Sequence, residues 1–490
     1  MELTTLLIGI GVILVIFWLF RRPSRNLPPC PSRPLPIVGN IFSLEADPRP
    51  QFKKWHKELG DIFCLHMGGT LFVVLNGFPL NKEVLVKRAD EFSDRPWFYF
   101  DLVTDSPGKG ISFGNGKNWK EQRSVTLSIL RDFGMGKNVL AEKIQSEVVF
   151  YIDSINRLDG QATDMRPLTN MSMANMICAF IVGERFDYED ATFKDLTLKF
   201  RDLVEDLTTN SLINYFPILG KLPGDLFGAK RIASSMRHLV RFFKKEFITK
   251  HNHDESSNFV AAYLSQRDKK LKDGEETEMD EDNLVKIVLE LFFSGADTTS
   301  TSILWCYLYA LNHLDVQEKI YKEIEEEIGT DRDPTMQDRT KLVYLNAFIN
   351  EVARLSTIAA HSFAHTNPVD AEIRGYTIPK GSFIIPNLDS IHFDKTIWGN
   401  DVMEFKPERF IDGSGKLKNP EELVPFGIGR RNCIGESMTK MIQFLLLASL
   451  FQKFKVVAPD PAAPPPIKYY FTVDAAPVPF QVCFVDRRKN

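Results

Sequence analysis

Apolar residues recur at intervals of three and four along most of this chain and alternate with polar residues over only a few short stretches. Helical spacing covers residues 139–155, 191–207, 229–250, 317–328 and 342–355. The longest such run, residues 283–314, is largely apolar and measures about 48 Å as an α-helix. Another amphipathic helix is predicted over 437–451. Residues 62–75 differ, because two β-rich runs flank Gly68-Gly69, which predicts a hairpin. The pattern as a whole predicts a mainly α protein with small β-sheets.

Two stretches break this pattern in an informative way. Residues 3–20 are almost uninterrupted apolar, about 27 Å as a helix, enough to span a bilayer marginally. Arg21, Arg22 and Arg25 follow at once, so the span reads as a single transmembrane signal-anchor with the body on the cytosolic side. A cleaved signal peptide fits less well, since Glu2 stands where basic residues belong and no small-x-small site precedes the arginines. Six prolines between Pro23 and Pro36 then make a stiff extended spacer, giving divisions of 1–20, 21–39 and 40–490. In the second stretch, residues 211–227, Leu212, Ile213, Tyr215, Phe216, Ile218, Leu219, Leu222 and Leu226 crowd a segment between helices. Such an apolar loop is a hazard in water, which leaves burial or contact with a membrane.

At 490 residues a length prior suggests about three domains, yet no linker divides the body. Residues 267–281 are dense with charge and read as a solvated loop before the long helix. A 44% hydrophobic, 25% charged composition is ordinary for a globular protein with a substantial core, and a net charge of −4 gives no case for nucleic-acid binding. Six cysteines (30, 64, 178, 306, 433 and 483) are scattered without a Cys-x-x-Cys, which argues against zinc or iron–sulfur sites. In a cytosolic body they should be reduced thiols.

The chemistry concentrates in the run Pro425-Phe426-Gly427-Ile428-Gly429-Arg430-Arg431-Asn432-Cys433-Ile434-Gly435-Glu436. A cysteine just before a helix and among arginines is placed to hold a thiolate, because the helix N-terminus and the cations both favour negative charge. Glycines at 427, 429 and 435 let the backbone approach a flat partner closely. Taken alone, Cys433 would serve equally well as a core residue. Within the long predicted helix, Ser294-Gly295-Ala296-Asp297-Thr298-Thr299 places one Gly and two Thr in an interior that disfavours both types. Glu351 and Arg354 lie three apart on one helix face.

Together these strings resemble the cytochrome P-450 monooxygenases, over roughly residues 27–490. Phe-x-x-Gly-x-Arg-x-Cys-x-Gly matches the haem-binding loop of that family. The resemblance implies haem b as cofactor, Cys433 as the axial ligand of its iron, Phe426 packed beside it and Arg431 on a propionate. It assigns oxygen activation to Asp297 and Thr298 as an acid–alcohol pair and implies that Gly295 opens space for dioxygen; Ser294 stands where Ala or Gly is usual. Glu351, Arg354 and Arg409, the last within Pro407-Glu408-Arg409-Phe410, match the family's structural triad. Trp119, Arg123, Arg95 and His365 match further propionate contacts. Substrate-contact regions fall on Phe98, Phe100, Ile111, Phe113, Phe293, Ala296, Ala360, His361 and Phe363, an apolar aromatic set suited to lipophilic substrates. His361 departs from the usual small or apolar residue, and Ala360 and Ala364 from the usual prolines. His361 either hydrogen-bonds a polar group of the substrate or turns into the wall.

Residues 130–137 resemble the vertebrate-type microsomal family 2, and Cys30 stands in the proline-rich hinge where Gly is usual. By this resemblance 40–490 is a haem-binding catalytic domain on the endoplasmic reticulum membrane. It would insert one atom of O2 into xenobiotics, fatty acids or steroids, and residues 211–227 would dip into the bilayer. No flavin or nicotinamide fingerprint accompanies the motifs, so electrons must come from a partner. The family's usual donor is an NADPH–cytochrome P-450 reductase, with cytochrome b5 as a second candidate, and the expected dock is a basic face including Lys117, Lys120, Arg131, Arg430 and Lys440. Two alternatives stay open: an oxygen-independent isomerase or dehydratase on the same scaffold, and a haem protein that binds a lipid or gas without turnover.

Overall fold

The computed structural model describes residues 26–489 except 105, 134–137, 210, 211, 251–257 and 473. The apolar span expected at 3–20 lies outside the described residues. Among the described residues, no helix is long and apolar enough to cross a membrane. The described chain forms two compact units, one made of residues up to Pro96 with Phe363–Asn387, the other of Trp97–Ser362 with Leu388–Asn490.

The first unit is built on the predicted hairpin. Ile62–Met67 pairs antiparallel with Thr70–Leu75, and Met67 faces Thr70 across the glycine turn. Phe383–Pro386 adds parallel to the second strand, and His365–Thr366 pairs antiparallel with Phe383–Pro386 to complete four strands. Phe63, Val73 and Val74 are fully buried. The Arg49–Leu59 helix sets Phe52 and Trp55 on Phe63, with centroids 5.5 and 5.9 Å apart in edge-on geometry. Residues 28–40 run along the other edge of the hairpin. There Gly39 must be glycine, since its φ is +69° and a Cβ would lie 2.1 Å from the His66 carbonyl oxygen.

The second unit is helical, as the periodicity predicts, and its centre is the Glu281–Asn312 helix. Asp280 caps this helix by accepting from the Asn283 N–H at 2.7 Å, with Glu281 and Asp282 in the first turn. It packs along the Arg166–Ile181 helix, which is buried on nearly every side. Other predicted helices occur as Asn138–Asn156, Ala191–Thr209, Leu314–Glu327 and Val343–Ser356. The one predicted over 229–250 ends as an α-helix at Phe243 and continues as a π-helical turn, Lys244–Thr249.

Two expectations need correcting. The helix after Cys433, Glu436–Lys453, is not amphipathic, because residues 441–452 are all buried; neighbouring helices cover every side of it. The charge-dense stretch is not all loop, since the Phe259–Lys272 helix takes its first part; lysines at 269, 270 and 272 suit a helix C-terminus. Two further sheet pairs, Phe454–Val457 with Cys483–Asp486 and Tyr469–Phe471 with Ala475–Pro477, consist of strands too short to register a period of two. Of the apolar segment at 211–227, Ile213 is buried, whereas Ile218 and Leu226 are 69% and 76% exposed.

Candidate active site

The cysteine loop is held by its own backbone. Gly427 and Gly429 have positive φ (75° and 80°), the second opening a 3₁₀ turn, Gly429–Arg431, and the Cys433 N–H returns to the Phe426 carbonyl at 2.8 Å. The loop delivers Cys433 directly ahead of the Glu436–Lys453 helix, so that its sulfur accepts from the N–H groups of Gly435 and Glu436. Burial pushes the thiol up. The two backbone donors and Arg123 pull it back, while Glu436 opposes them. Cys433 keeps accessible surface although the surrounding protein is dense, and that density sets its electrostatics. A Cβ on Gly435 would stand 3.8 Å from the sulfur, an ordinary contact; what glycine supplies here is a bare backbone beside the thiol.

Three predicted cofactor contacts gather around this loop. Arg431 is buried, donating to the Ile111 carbonyl at 3.0 Å and the Gly114 carbonyl at 2.7 Å, and stacks on Trp119 with its guanidinium carbon 3.7 Å from the ring centroid. The Trp119 indole N–H is buried and meets no acceptor among the described residues. Arg123, one turn on, donates to both the carbonyl (2.8 Å) and the side-chain oxygen (2.7 Å) of Asn432, next to the cysteine. Burial pulls this guanidinium down and the charge of Cys433 holds it up. Arg123 therefore braces the cysteine loop from the helix that carries Trp119, Gly116–Phe133. On the expected basic face, Lys440 pairs with Glu436 at 2.7 Å and lies over Phe426, and Lys117 pairs with Glu276. Lys120 and Arg131 make no ion pair among the described residues.

Glu351, Arg354 and Arg409 come together as a buried cluster. Arg354 grips Glu351 through two 2.8 Å hydrogen bonds, both side chains having no exposed surface, and donates to the His392 carbonyl at 2.9 Å. Arg409 reaches Glu351 at 3.4 Å but is bound more closely by Asp401, at 3.0 Å, and by the Trp398 carbonyl. His392, which the sequence reading did not single out, links this cluster to the cysteine loop. Its Nε2 accepts from the Val424 N–H at 3.0 Å, and its Nδ1 shares a hydrogen with Thr357 at 3.0 Å. Nothing in one sequence distinguishes such a histidine from any other buried one.

On the long helix, Ser294 and Thr298 share an exposed face one turn apart, and the Thr298 hydroxyl donates to the Ser294 carbonyl. That bond leaves the hydroxyl oxygen as an acceptor. Asp297 is raised by burial and lowered by Arg166. It also faces Asp474, whose carboxyl burial pushes up to about 7, with the Asp297 charge adding to the effect. Gly295 has a different cause from the one expected. A Cβ there would lie 2.6 Å from Cδ1 and 3.0 Å from Cγ1 of Ile177, so the missing side chain admits the neighbouring helix.

The remaining predicted residues are distributed between the two units. In the first unit, Arg95 donates to the carbonyls of Phe363 (2.7 Å) and Ala364 (2.8 Å), and His365 shares a hydrogen with the Phe92 carbonyl at 2.7 Å. The Phe363 side chain is exposed beneath the Arg95 guanidinium. In the second unit, Phe98 and Phe113 meet edge-on at 5.8 Å, Phe293 stacks on Phe200 at 3.7 Å, and Ile111, Ala296 and Ala360 are buried. The His361 ring rests edge-on against Phe471. The Phe100 side chain lies outside the described residues. Unanticipated was Glu290, which accepts from the N–H groups of Ile111 (2.7 Å) and Ser112 (3.2 Å) and is pushed up to about 7 by burial. One turn earlier, buried Lys286 pairs with buried Asp101 at 3.0 Å. These two pairs fasten residues 101–112 to the long helix.

Comparison with known proteins agrees with this arrangement. The sequence pattern of the family described as Cytochrome P450 matches residues 28–484. Cytochrome P450 2C3 of Oryctolagus cuniculus is 36% identical, covering 97% of each chain. Cytochrome P450 2U1 of Bos taurus is 35% identical over 98% of this chain and 93% of its own, and Cytochrome P450 2J2 of Homo sapiens 34% over 98% and 96%. Near-complete coverage at this identity, on a mainly helical fold with small sheets and a cysteine loop at the head of a buried helix, shows that the chain belongs to the cytochrome P450 family and is a haem-thiolate monooxygenase.

Proposed function

We propose that this protein is a membrane-anchored monooxygenase of the endoplasmic reticulum that oxidises lipophilic small molecules with electrons from a separate NADPH-dependent reductase. The observation that carries the reading is the Cys433 sulfur, which accepts two backbone N–H groups at a helix head beside Arg123. Those donors and Arg123 favour a thiolate and moderate its basicity, against the burial that holds the thiol up. The residues present fit haem. Cys433 would ligate the iron, the buried Trp119 N–H lacks an acceptor and suits a propionate, and Arg431, stacked on that ring, would add charge. When bound, the haem supplies the activation of dioxygen and the transfer of one oxygen atom to substrate.

The chain's own residues do the rest. Phe98, Phe113, Phe200, Phe293, Ala296 and Ile111 offer an apolar aromatic lining, which selects by desolvation and shape. Glu290, through the backbone of 111–112, and Lys286, through Asp101, hold the loop carrying Ile111 and Phe113. Asp297, whose carboxyl burial holds above its ordinary proton affinity, and the Thr298 hydroxyl would carry the proton that oxygen activation needs. Exposed Ile218, Leu222 and Leu226 suit contact with lipid near the substrate entrance. With Lys117 and Lys440 already paired, Lys120 and Arg131 are the stronger reductase contacts, and exchange with the reductase should weaken as salt rises.

The test is product formation by the full-length protein in membranes with NADPH and the reductase, on a panel mixing long-chain fatty acids with rigid lipophiles. NADPH-coupled oxidation is expected. Conversion of a lipid peroxide without NADPH would overturn it in favour of an isomerase, and binding without product would favour a sensor.

A further inference from the structure

The first unit contains a pair of thiols that the monooxygenase chemistry does not use. Cys30, in the proline-rich segment, and Cys64, in the Ile62–Met67 strand, are 34 residues apart in sequence, yet hydrogen bonds between the two segments bring them side by side. The backbone forces the meeting. The Cys64 N–H donates to the Pro29 carbonyl at 2.8 Å, and the Cys64 thiol donates to the Pro28 carbonyl at 3.1 Å. Further along the same edge, the His66 N–H donates to Asn40 Oδ1 at 2.8 Å, and Asn40 returns its own N–H to the His66 carbonyl. Asn40 Oδ1 also lies 3.5 Å from the Cys30 sulfur, which donates to the Ser32 carbonyl at 3.0 Å. Cys30 is thus clamped beside Cys64 at both ends of the segment.

The two thiols are unequal. Cys64 is 1% exposed and its thiol is pushed far up by its neighbour Cys30 and by burial. Cys30 is half-buried, reachable from solvent, and held below the usual thiol range chiefly by the Cys64 side chain, against the opposing effect of burial. An accessible thiol of raised acidity next to a buried resolving thiol is the arrangement that peroxide-sensing pairs require.

We infer that Cys30 and Cys64 form a site of reversible oxidation, in which hydrogen peroxide converts the adjacent thiols to a disulfide that ties the proline-rich segment to the sheet. The Cys30 thiolate attacks one peroxide oxygen, the O–O bond breaks, and with one proton taken up a sulfenic acid and water result. The Cys64 thiol then attacks the Cys30 sulfur, the S–O bond breaks, and a second water leaves. Two thiols and one hydrogen peroxide give one disulfide and two waters. The oxidant is at hand, since a monooxygenase releases peroxide whenever oxygen reduction outruns substrate oxidation. In a reducing compartment the bond would be transient, and it would record uncoupled turnover.

The experiment titrates the full-length holoprotein in lipid vesicles with hydrogen peroxide, and in parallel with diamide, which spares the haem. Alkylation, digestion and mass spectrometry follow. The expected product is a Cys30–Cys64 cross-linked peptide, with six alkylatable thiols falling to four and returning to six with dithiothreitol. Trypsin cleavage at Lys54 and Lys57, between the two cysteines, should then leave two peptides that separate only on reduction. C30S should abolish the cross-link and leave the thiolate-ligated haem spectrum unchanged. Because C64A alters a buried site, it is read separately: with that spectrum intact, a sulfenic acid must accumulate on Cys30 and react with dimedone. Both thiols still alkylatable after oxidation, Cys30 driven to a sulfonic acid with Cys64 reduced, or Cys30 joined to another cysteine would each overturn the inference.

Discussion

Replacing Arg354 by alanine tests whether the Glu351 cluster supports the cysteine loop or merely fills the core. The substitution removes both 2.8 Å bonds to Glu351, the bond to the His392 carbonyl and a cation–π contact with Trp398 at 5.4 Å. Glu351 would keep only Arg409, at 3.4 Å, and the Lys406 N–H, at 3.1 Å, while having no exposed surface. Stranding one member of a buried pair costs about 3–5 kcal/mol. A chain of 490 residues unfolds with an entropy of roughly 1 kcal/mol per degree, so the midpoint should fall by about 3–5 °C. Replacing both partners with apolar residues, E351L with R354M, should recover at least half of that loss, because no buried charge is then left alone. The assay is thermal unfolding of the holoprotein followed beside the thiolate-ligated carbon monoxide spectrum. If the loop is held through His392 and Val424, R354A should lose thiolate signal below the temperature at which global structure melts. Simultaneous loss, or a double variant no better than the single one, would refute the reasoning.

Four further outcomes follow from the same geometry. W119F keeps an aromatic face for Arg431 but removes the acceptor-less indole N–H; haem should dissociate about tenfold faster with thermal stability unchanged, as measured by transfer to apomyoglobin. G295A should destabilise the fold by about 1–2 kcal/mol, an overpacking cost exceeding the gain in helix propensity, and I177V should relieve most of it; no relief would return Gly295 to an oxygen-binding role. T298A should raise peroxide released per NADPH consumed, and unchanged coupling would remove Thr298 from the relay. Asp474, facing Asp297 and Thr301 on the long helix and Thr472 and Tyr470 on its own hairpin, with Arg166 beside Asp297, binds its proton up to about pH 7 when folded but only to about pH 4 when unfolded. The folded state therefore holds more protons in that window, and stability should fall as pH rises from about 4 to 7. D474N should flatten part of that fall in a pH series of unfolding midpoints, the rest belonging to groups such as Glu290 that shift the same way.

What could be read from the sequence depended on whether the cause was local. The 62–75 hairpin and the helix around Asp297 announce themselves because the period and the turn glycines lie within the segment. Glycine 295 announces itself too, but its reason does not: the atom that forbids a Cβ belongs to Ile177, more than a hundred residues earlier, and only packing reveals it. Arg123 was legible as a residue of the site. Its partner was not, since Asn432 meets it by the way the cysteine loop folds. The same holds for Glu290 and His392, whose bonds go to backbone groups of other segments and therefore leave no residue signature at the receiving end. Backbone donors carry no identity, and any residue but proline could stand at 111 or 424 and offer the same N–H. A motif search finds Cys433, Asp297 and Thr298 because the proposed chemistry needs those side chains. The groups that fix their positions are bound to main chain, so they are found only when the chain is folded.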